Sequence, residues 1–191
     1  DCTQNGLLNL NITGCPSLEQ LFCRENQLVA LDVSQNPELN YLDCFNNQIE
    51  ALDVTHNPLL EHLECWMNNL TELDVTQNPL LKYLDCDRNQ LTELDVTHKP
   101  DLRLLAFGYN QIEDIDLSVN TLLDSLYCYG NLLTELDISA NLNLSLLYFP
   151  DNQIESIDLS AHSMLSKLWV SRNLITELDL SNNHNLIQLY C

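Results

Sequence analysis

Positive charge is scarce. Seven Lys and Arg stand against 28 Asp and Glu, a formal net charge of −21. Nucleic acids and anionic membrane surfaces need basic patches, so the charge argues against both as partners, and no nucleic acid and no membrane insertion are expected. Such an excess of one sign also makes copies of the particle repel side by side. Glycine is nearly absent, with four residues in 191, and no Gly-rich phosphate loop exists. No apolar run approaches the roughly 18 residues that suggest a membrane span. No secretory leader is found and the first residue is Asp1, so the chain reads as processed or as a piece of something longer.

What is there is repetition. Residues 31–51 read LDVSQNPELNYLDCFNNQIEA, and 52–72 and 73–93 repeat the phrase at a period of 21. Each period has two similar halves. One is LxxLxCxxN, as in Leu39, Leu42, Cys44 and Asn47; the other is LxxLDV[ST]xN, as in Ile49, Leu52, Val54 and Asn57. Both contain an in-out-in alternation, the mark of a strand. Twenty-one residues cannot hold two strands, two turns and a helix. The expectation is a right-handed parallel β coil of nine turns, with short strands on both sides and little or no α-helix. Its core columns run from Leu18 to Leu186 and from Leu21 to Leu189. Asn5, Asn26, Asn47, Asn68, Asn89, Asn110, Asn131, Asn152 and Asn173 form a ladder. An asparagine side chain carries donor and acceptor together, so this ladder is expected to satisfy backbone groups where the chain turns inward.

These phrases resemble the leucine-rich-repeat family. The 21-residue period and its LDV[ST]xN half are similar to a bacterial, internalin-J-like subclass whose repeats also carry a cysteine column. The resemblance covers the whole chain. It implies a curved leucine-rich-repeat solenoid whose main strands line a concave ligand-binding face, and an extracellular or cell-surface location.

Seven of the eight cysteines share one phase: Cys2, Cys23, Cys44, Cys65, Cys86, Cys128 and Cys191. Phe107, Phe149 and Val170 replace cysteine there. A site that accepts Phe or Val is a core site, with Cys as a small hydrophobe. A straight column of thiols cannot close a tetrahedron round zinc. In-register side chains also point the same way and not at each other. A reduced structural ladder is expected ahead of disulfides, with metal last. Cys15 falls outside this phase, where Asn36 and Asn57 stand in later turns.

A second column is acidic: Asp32, Asp53, Asp74, Asp95, Asp116, Asp137, Asp158 and Asp179, each followed two residues later by Ser or Thr. The expected role is local, with the carboxylate accepting the N–H of the following turn. A row of calcium ions is the alternative. No catalytic constellation stands out, and the five His are scattered over four phases. No enzyme activity and no cofactor are expected.

The varied positions lie around the first-half strand. Phe22, Arg24, Tyr41, Phe45, His62, Trp66, Tyr83, Arg88, Tyr109, Tyr127, Tyr129, Tyr148, Trp169 and Tyr190 all fall there. Aromatics favour strands in general, but the second half has an outward position too and carries none. Tyr, Trp and Arg dominate binding hot spots. The expected function is a protein-binding or adhesion module, with a protein surface as partner ahead of a glycan. Neither end carries a capping segment, so a fragment of a longer array is expected. The alternative is head-to-tail self-association into an extracellular filament.

Overall fold

The computed structural model describes residues 1–191. It has no helix and nine three-residue strands. They are β1 Gln20–Phe22, β2 Tyr41–Asp43, β3 His62–Glu64, β4 Tyr83–Asp85, β5 Leu104–Ala106, β6 Ser125–Tyr127, β7 Leu146–Tyr148, β8 Lys167–Trp169 and β9 Gln188–Tyr190. All pair in parallel and in sequence order. Each residue pairs with the one 21 positions on, as Leu42 with Leu63 and Leu63 with Leu84. The period of the sequence is therefore the register of the sheet. The ladder continues past each strand: Cys44 N–H donates to Glu64 C=O at 2.9 Å and Asn46 N–H to Trp66 C=O at 2.9 Å.

The middle residue of each strand points inward. Leu42, Leu63, Leu84, Leu105, Leu126, Leu147 and Leu168 are fully buried, as are Cys44, Cys65, Cys86, Phe107, Cys128 and Phe149. One continuous core results. Leu18 and Leu186 are only partly covered and Leu189 is exposed, since each lies in an outermost turn. All eight thiols are free. Burial pushes Cys23 up to about 12 and holds Cys44, Cys65 and Cys86 well above the usual thiol range, so the column is protonated and apolar.

The asparagine ladder satisfies the turns as expected. Asn47 donates to Cys23 C=O at 3.1 Å and Cys44 C=O at 3.0 Å, and accepts Leu28 N–H at 3.0 Å. It clamps its own turn to the preceding one. The residue directly before each of these asparagines is left-handed. Glu25, Asn46, Met67, Arg88, Tyr109, Asp151 and Arg172 have φ between 48° and 58°.

The expected second row of strands is not formed. Adjacent LDV segments exchange no backbone hydrogen bond. The reason is local competition. Asp53 Oδ1 accepts the N–H of Thr55 at 2.9 Å, and Asn57 N–H then bonds Val54 C=O at 3.0 Å. The chain is already turning where a strand would have to continue. The same carboxylate bond recurs at Asp32, Asp74, Asp95, Asp116, Asp137, Asp158 and Asp179. It holds these carboxyls below the usual range, first through the Ser or Thr that follows.

The asparagine that ends the LDV[ST]xN half builds a second ladder, a role the sequence did not disclose. Asn36, Asn57, Asn78, Asn120, Asn141 and Asn183 are buried at the LDV turn. Asn57 donates to Val33 C=O at 3.0 Å and Asn36 C=O at 2.9 Å, while its own Oδ1 has no partner. Lys99 and His162 take the asparagine position in two turns, and both are buried.

Candidate functional site

The outward residues of the nine strands form one face, and the turn after each strand borders it. Every candidate named from the sequence lies there. Two rows of rings emerge. In the first, Phe22, Tyr41, His62 and Tyr83 follow one another with centroids 5.0, 4.1 and 5.1 Å apart, and Phe45 stacks on Trp66 at 4.1 Å. In the second, Tyr109 meets Tyr129 edge-on at 4.9 Å and Tyr129 meets Tyr148 at 5.1 Å. Tyr127 lies 6.0 Å from Tyr148, which leads to Trp169 at 5.4 Å and Tyr190 at 5.2 Å. In-register pairing sets strands about 4.8 Å apart, so identical phases stack rings without further design. Tyr83, Tyr109 and Tyr190 remain 39%, 45% and 56% exposed.

Charge on this face is largely paired across neighbouring turns. Arg24 bonds the buried Asp43 at 3.0 Å, and Lys82 bonds Glu61 at 2.7 Å. Arg172 meets Asp151 at 3.1 Å. Glu64 accepts from His62 at 2.8 Å and from the Tyr41 hydroxyl at 2.9 Å. The His62 bond, then the Tyr41 bond, hold the Glu64 carboxyl low against its burial. Burial, then Glu64, push Tyr41 up to about 12. Arg24, Tyr41 and His62 are thus committed to internal contacts, and their free surface is smaller than the sequence suggested.

Between the two ring rows the face opens into a cleft of about 520 Å³. Asp85, Asp87, Arg88, Leu104, Ala106, Tyr109, Tyr127, Tyr129, Tyr148 and Asp151 line it. Tyr129 reaches back over a whole turn to donate its hydroxyl to Asp87 at 2.5 Å. Gly108 makes this reach possible: a side chain there would collide with the Tyr129 ring, and its N–H also donates to Asp87. Gly130, at φ +62°, seats Tyr109 the same way; an added carbon would lie 2.6 Å from that ring. Arg88 lays its guanidinium over Tyr109 at 4.5 Å. Burial, then the neighbouring Asp87, push Asp85 up to about 7; burial pushes Asp87 to about 6 although Tyr129 and Gly108 oppose it.

Comparison with solved structures places this arrangement. The functional domain of InlJ from Listeria monocytogenes, described as including a cysteine ladder, is 34% identical over 93% of the chain and 49% of its own length, with a TM-score of 0.66. The chain is a leucine-rich-repeat protein with a cysteine ladder. A leucine-rich-repeat protein of Leptospira interrogans is 25% identical over 92% of this chain and 50% of its own, at a TM-score of 0.85. Internalin C2 of Listeria monocytogenes shares the fold at 24% identity and a TM-score of 0.83, over 93% of this chain and 83% of its own. The chain spans about half the length of InlJ and of the Leptospira protein. No protein-family model and no curated relative matches this leucine-rich-repeat sequence.

Asp85, Asp87, Gly108 and Gly130 were not singled out from the sequence of the repeat array. The signal was present in the scarcity of glycine: two of its four residues fall at one place on the face. No helix is long and apolar enough to cross a membrane.

Proposed function

We propose that this leucine-rich-repeat array is a protein-binding module whose sheet face is the contact surface. The observation that carries the reading is the segregation of side chains. Half-exposed rings and mixed charge occupy the sheet face, whereas the Asp column opposite is spent on capping its own turns. Tyr, Trp and Arg concentrate binding energy because they bury large area with few rotamers to freeze. The missing hydrogen bonds between LDV segments support a coil that closes on its sheet side, which makes the ring rows concave. Likeness to InlJ supports an interaction role for the leucine-rich-repeat array, and a surface or secreted, adhesive setting belongs to the same proposal.

The test is selection of folded binders from a displayed library against the 191-residue chain, followed by hydroxyl-radical footprinting. Protection centred on Trp66, Tyr83, Tyr109, Tyr148 and Trp169 is the expected result. Protection centred on the Asp53–Asp116 column overturns the reading. A glycan array probed with the same sample separates a sugar ligand. Sedimentation across concentrations separates the filament, which requires particles that lengthen while staying one coil wide.

A further inference from the structure

Four acids of the sheet face, one buried and three partly exposed, have cationic partners. Asp43 has Arg24, Glu61 has Lys82, Glu64 has His62 and Asp151 has Arg172. Asp85 and Asp87, side by side in the cleft, form no ion pair. Asp87 is saturated by Tyr129 and Gly108. Asp85 accepts only the N–H of Asp87, at 3.1 Å, which leaves its other oxygen without a protein donor. Taking two carboxylates out of water is costly unless a positive charge offsets it. The one cation of this chain at the cleft, Arg88, acts on Asp87 from the rim and pairs with neither carboxylate, and none acts on Asp85.

The walls of the cleft are suited to the missing charge. Four tyrosines line it, and ring faces attract ammonium and guanidinium groups. Arg88 already shows the match, with its guanidinium over Tyr109 at the rim. Tyr127 feels Asp87, Asp124 and Asp85 together, so its hydroxyl stands in the same negative field. A hydrated metal ion is a poorer occupant. Both oxygens of Asp87 are spoken for, and no group of three His, Cys, Asp or Glu is placed to hold a metal.

We infer that this cleft receives the cationic end of a lysine or arginine side chain from a protein partner. The inference rests on the proposed function in taking the partner to be a protein; the cleft's preference for a cation stands on its own geometry. The cation sits against the free oxygen of Asp85, with its alkyl stem laid along the exposed edges of Tyr127 and Tyr148. Leu104 and Ala106 give that stem an apolar floor.

The experiment is an NMR titration of the tyrosine rings of the 191-residue chain. The probes are the blocked single residues Nα-acetyl-lysine methylamide, its arginine counterpart and the neutral norleucine counterpart. The cations should shift Tyr127, Tyr129 and Tyr148 saturably, about tenfold more tightly than norleucine. Whichever of lysine and arginine binds tighter names the side chain. Asp85→Asn should abolish the preference for cations while the Trp169 and Tyr190 ring signals stay in place, showing that the fold persists. Equal binding of norleucine, or an unchanged cation preference in Asp85→Asn, overturns the inference. Because the probes are small, the outcome is independent of the footprint. Cation binding with library binders seated on the Asp column would leave the cleft standing and remove only the wider face.

Discussion

The two sides of the coil use the same residue differently. On the sheet side, Asn89 donates to Cys65 C=O at 3.1 Å and Cys86 C=O at 3.0 Å and accepts Leu70 N–H at 3.0 Å. On the opposite side, Asn78 donates to Val54 C=O and Asn57 C=O, both at 2.9 Å, while its oxygen accepts nothing. A position that needs donor and acceptor at fixed points admits only asparagine, and the sheet-side ladder is asparagine in every turn. A position that needs only a donor is looser. His162 fills it by pointing Nε2 at Ile138 C=O, 3.1 Å away, and Lys99 fills it with an ammonium that has no partner. How often a ladder varies thus measures how many of its hydrogen bonds are obligatory.

The largest expected effect is on the sheet side. Asn89→Ala strands the buried Leu70 N–H and takes one of two asparagine donors from each of Cys65 C=O and Cys86 C=O, and should cost about 3 kcal/mol in denaturant unfolding. Asn78→Ala strands no group, because Val54 C=O keeps the Asn57 N–H and Asn57 C=O keeps the Leu60 N–H, and should cost about 1 kcal/mol. Equal losses in the two variants would break the comparison. Lys99→Asn should go the other way, gaining about 1 kcal/mol at neutral pH by replacing an unpartnered cation with the ladder residue. Burial lowers the Lys99 pKa from 10.5. The unfolded chain therefore binds that proton more strongly, and the penalty is full below the folded value and gone above 10.5. The advantage of Lys99→Asn should accordingly shrink as melting is followed from pH 7 to pH 10.5; an advantage that grows would show that Lys99 is not destabilised by its charge.

The smallest effect is a pair of opposite acid responses. Asp85 and Asp87, raised to about 7 and about 6, bind protons more readily folded than unfolded. They should add stability as pH falls from about 7 toward 3.8. The capping column, typified by Asp53 and Asp74, is lowered, so its contribution is present above 3.8 and is lost as pH falls through the folded value. Melting followed from pH 8 to pH 3 should therefore rise and then drop, and Asp85→Asn with Asp87→Asn should flatten the rise and leave the drop. A rise of the same size in that double variant would place its origin elsewhere.

Much of this was legible because repetition states it nine times. The Leu39 and Leu42 columns, the cysteine phase, the sheet-side ladder and the Asp53 cap each recur, and a contact made in one turn is made in the next. The LDV half misled because alternation signals an extended chain but not a partner. Whether Leu52-Asp53-Val54 pairs depends on where the turn begins, and Asp53 begins it early. The cleft was hidden for the opposite reason. It is built from exceptions to the repeat: an aspartate where Phe45 and Trp66 precede, a glycine at 108, and a tyrosine whose contact lies 42 positions back. Lys99 was equally invisible, since a lone lysine in a polar turn reads as solvated until its burial is seen.

Because every strand pairs with the residue 21 positions on, removal or duplication of one whole period by unequal exchange in the coding sequence would leave each register, core column and ladder intact. The fold would not notice such an event. The Asp87–Tyr129 contact would, because it skips a turn: excise residues 94–114 and Tyr109 and Gly108 leave together, while Tyr129 arrives one step too close. The array's length is therefore free to drift between descendants, and the composition of the cleft is the part that inheritance has to hold still.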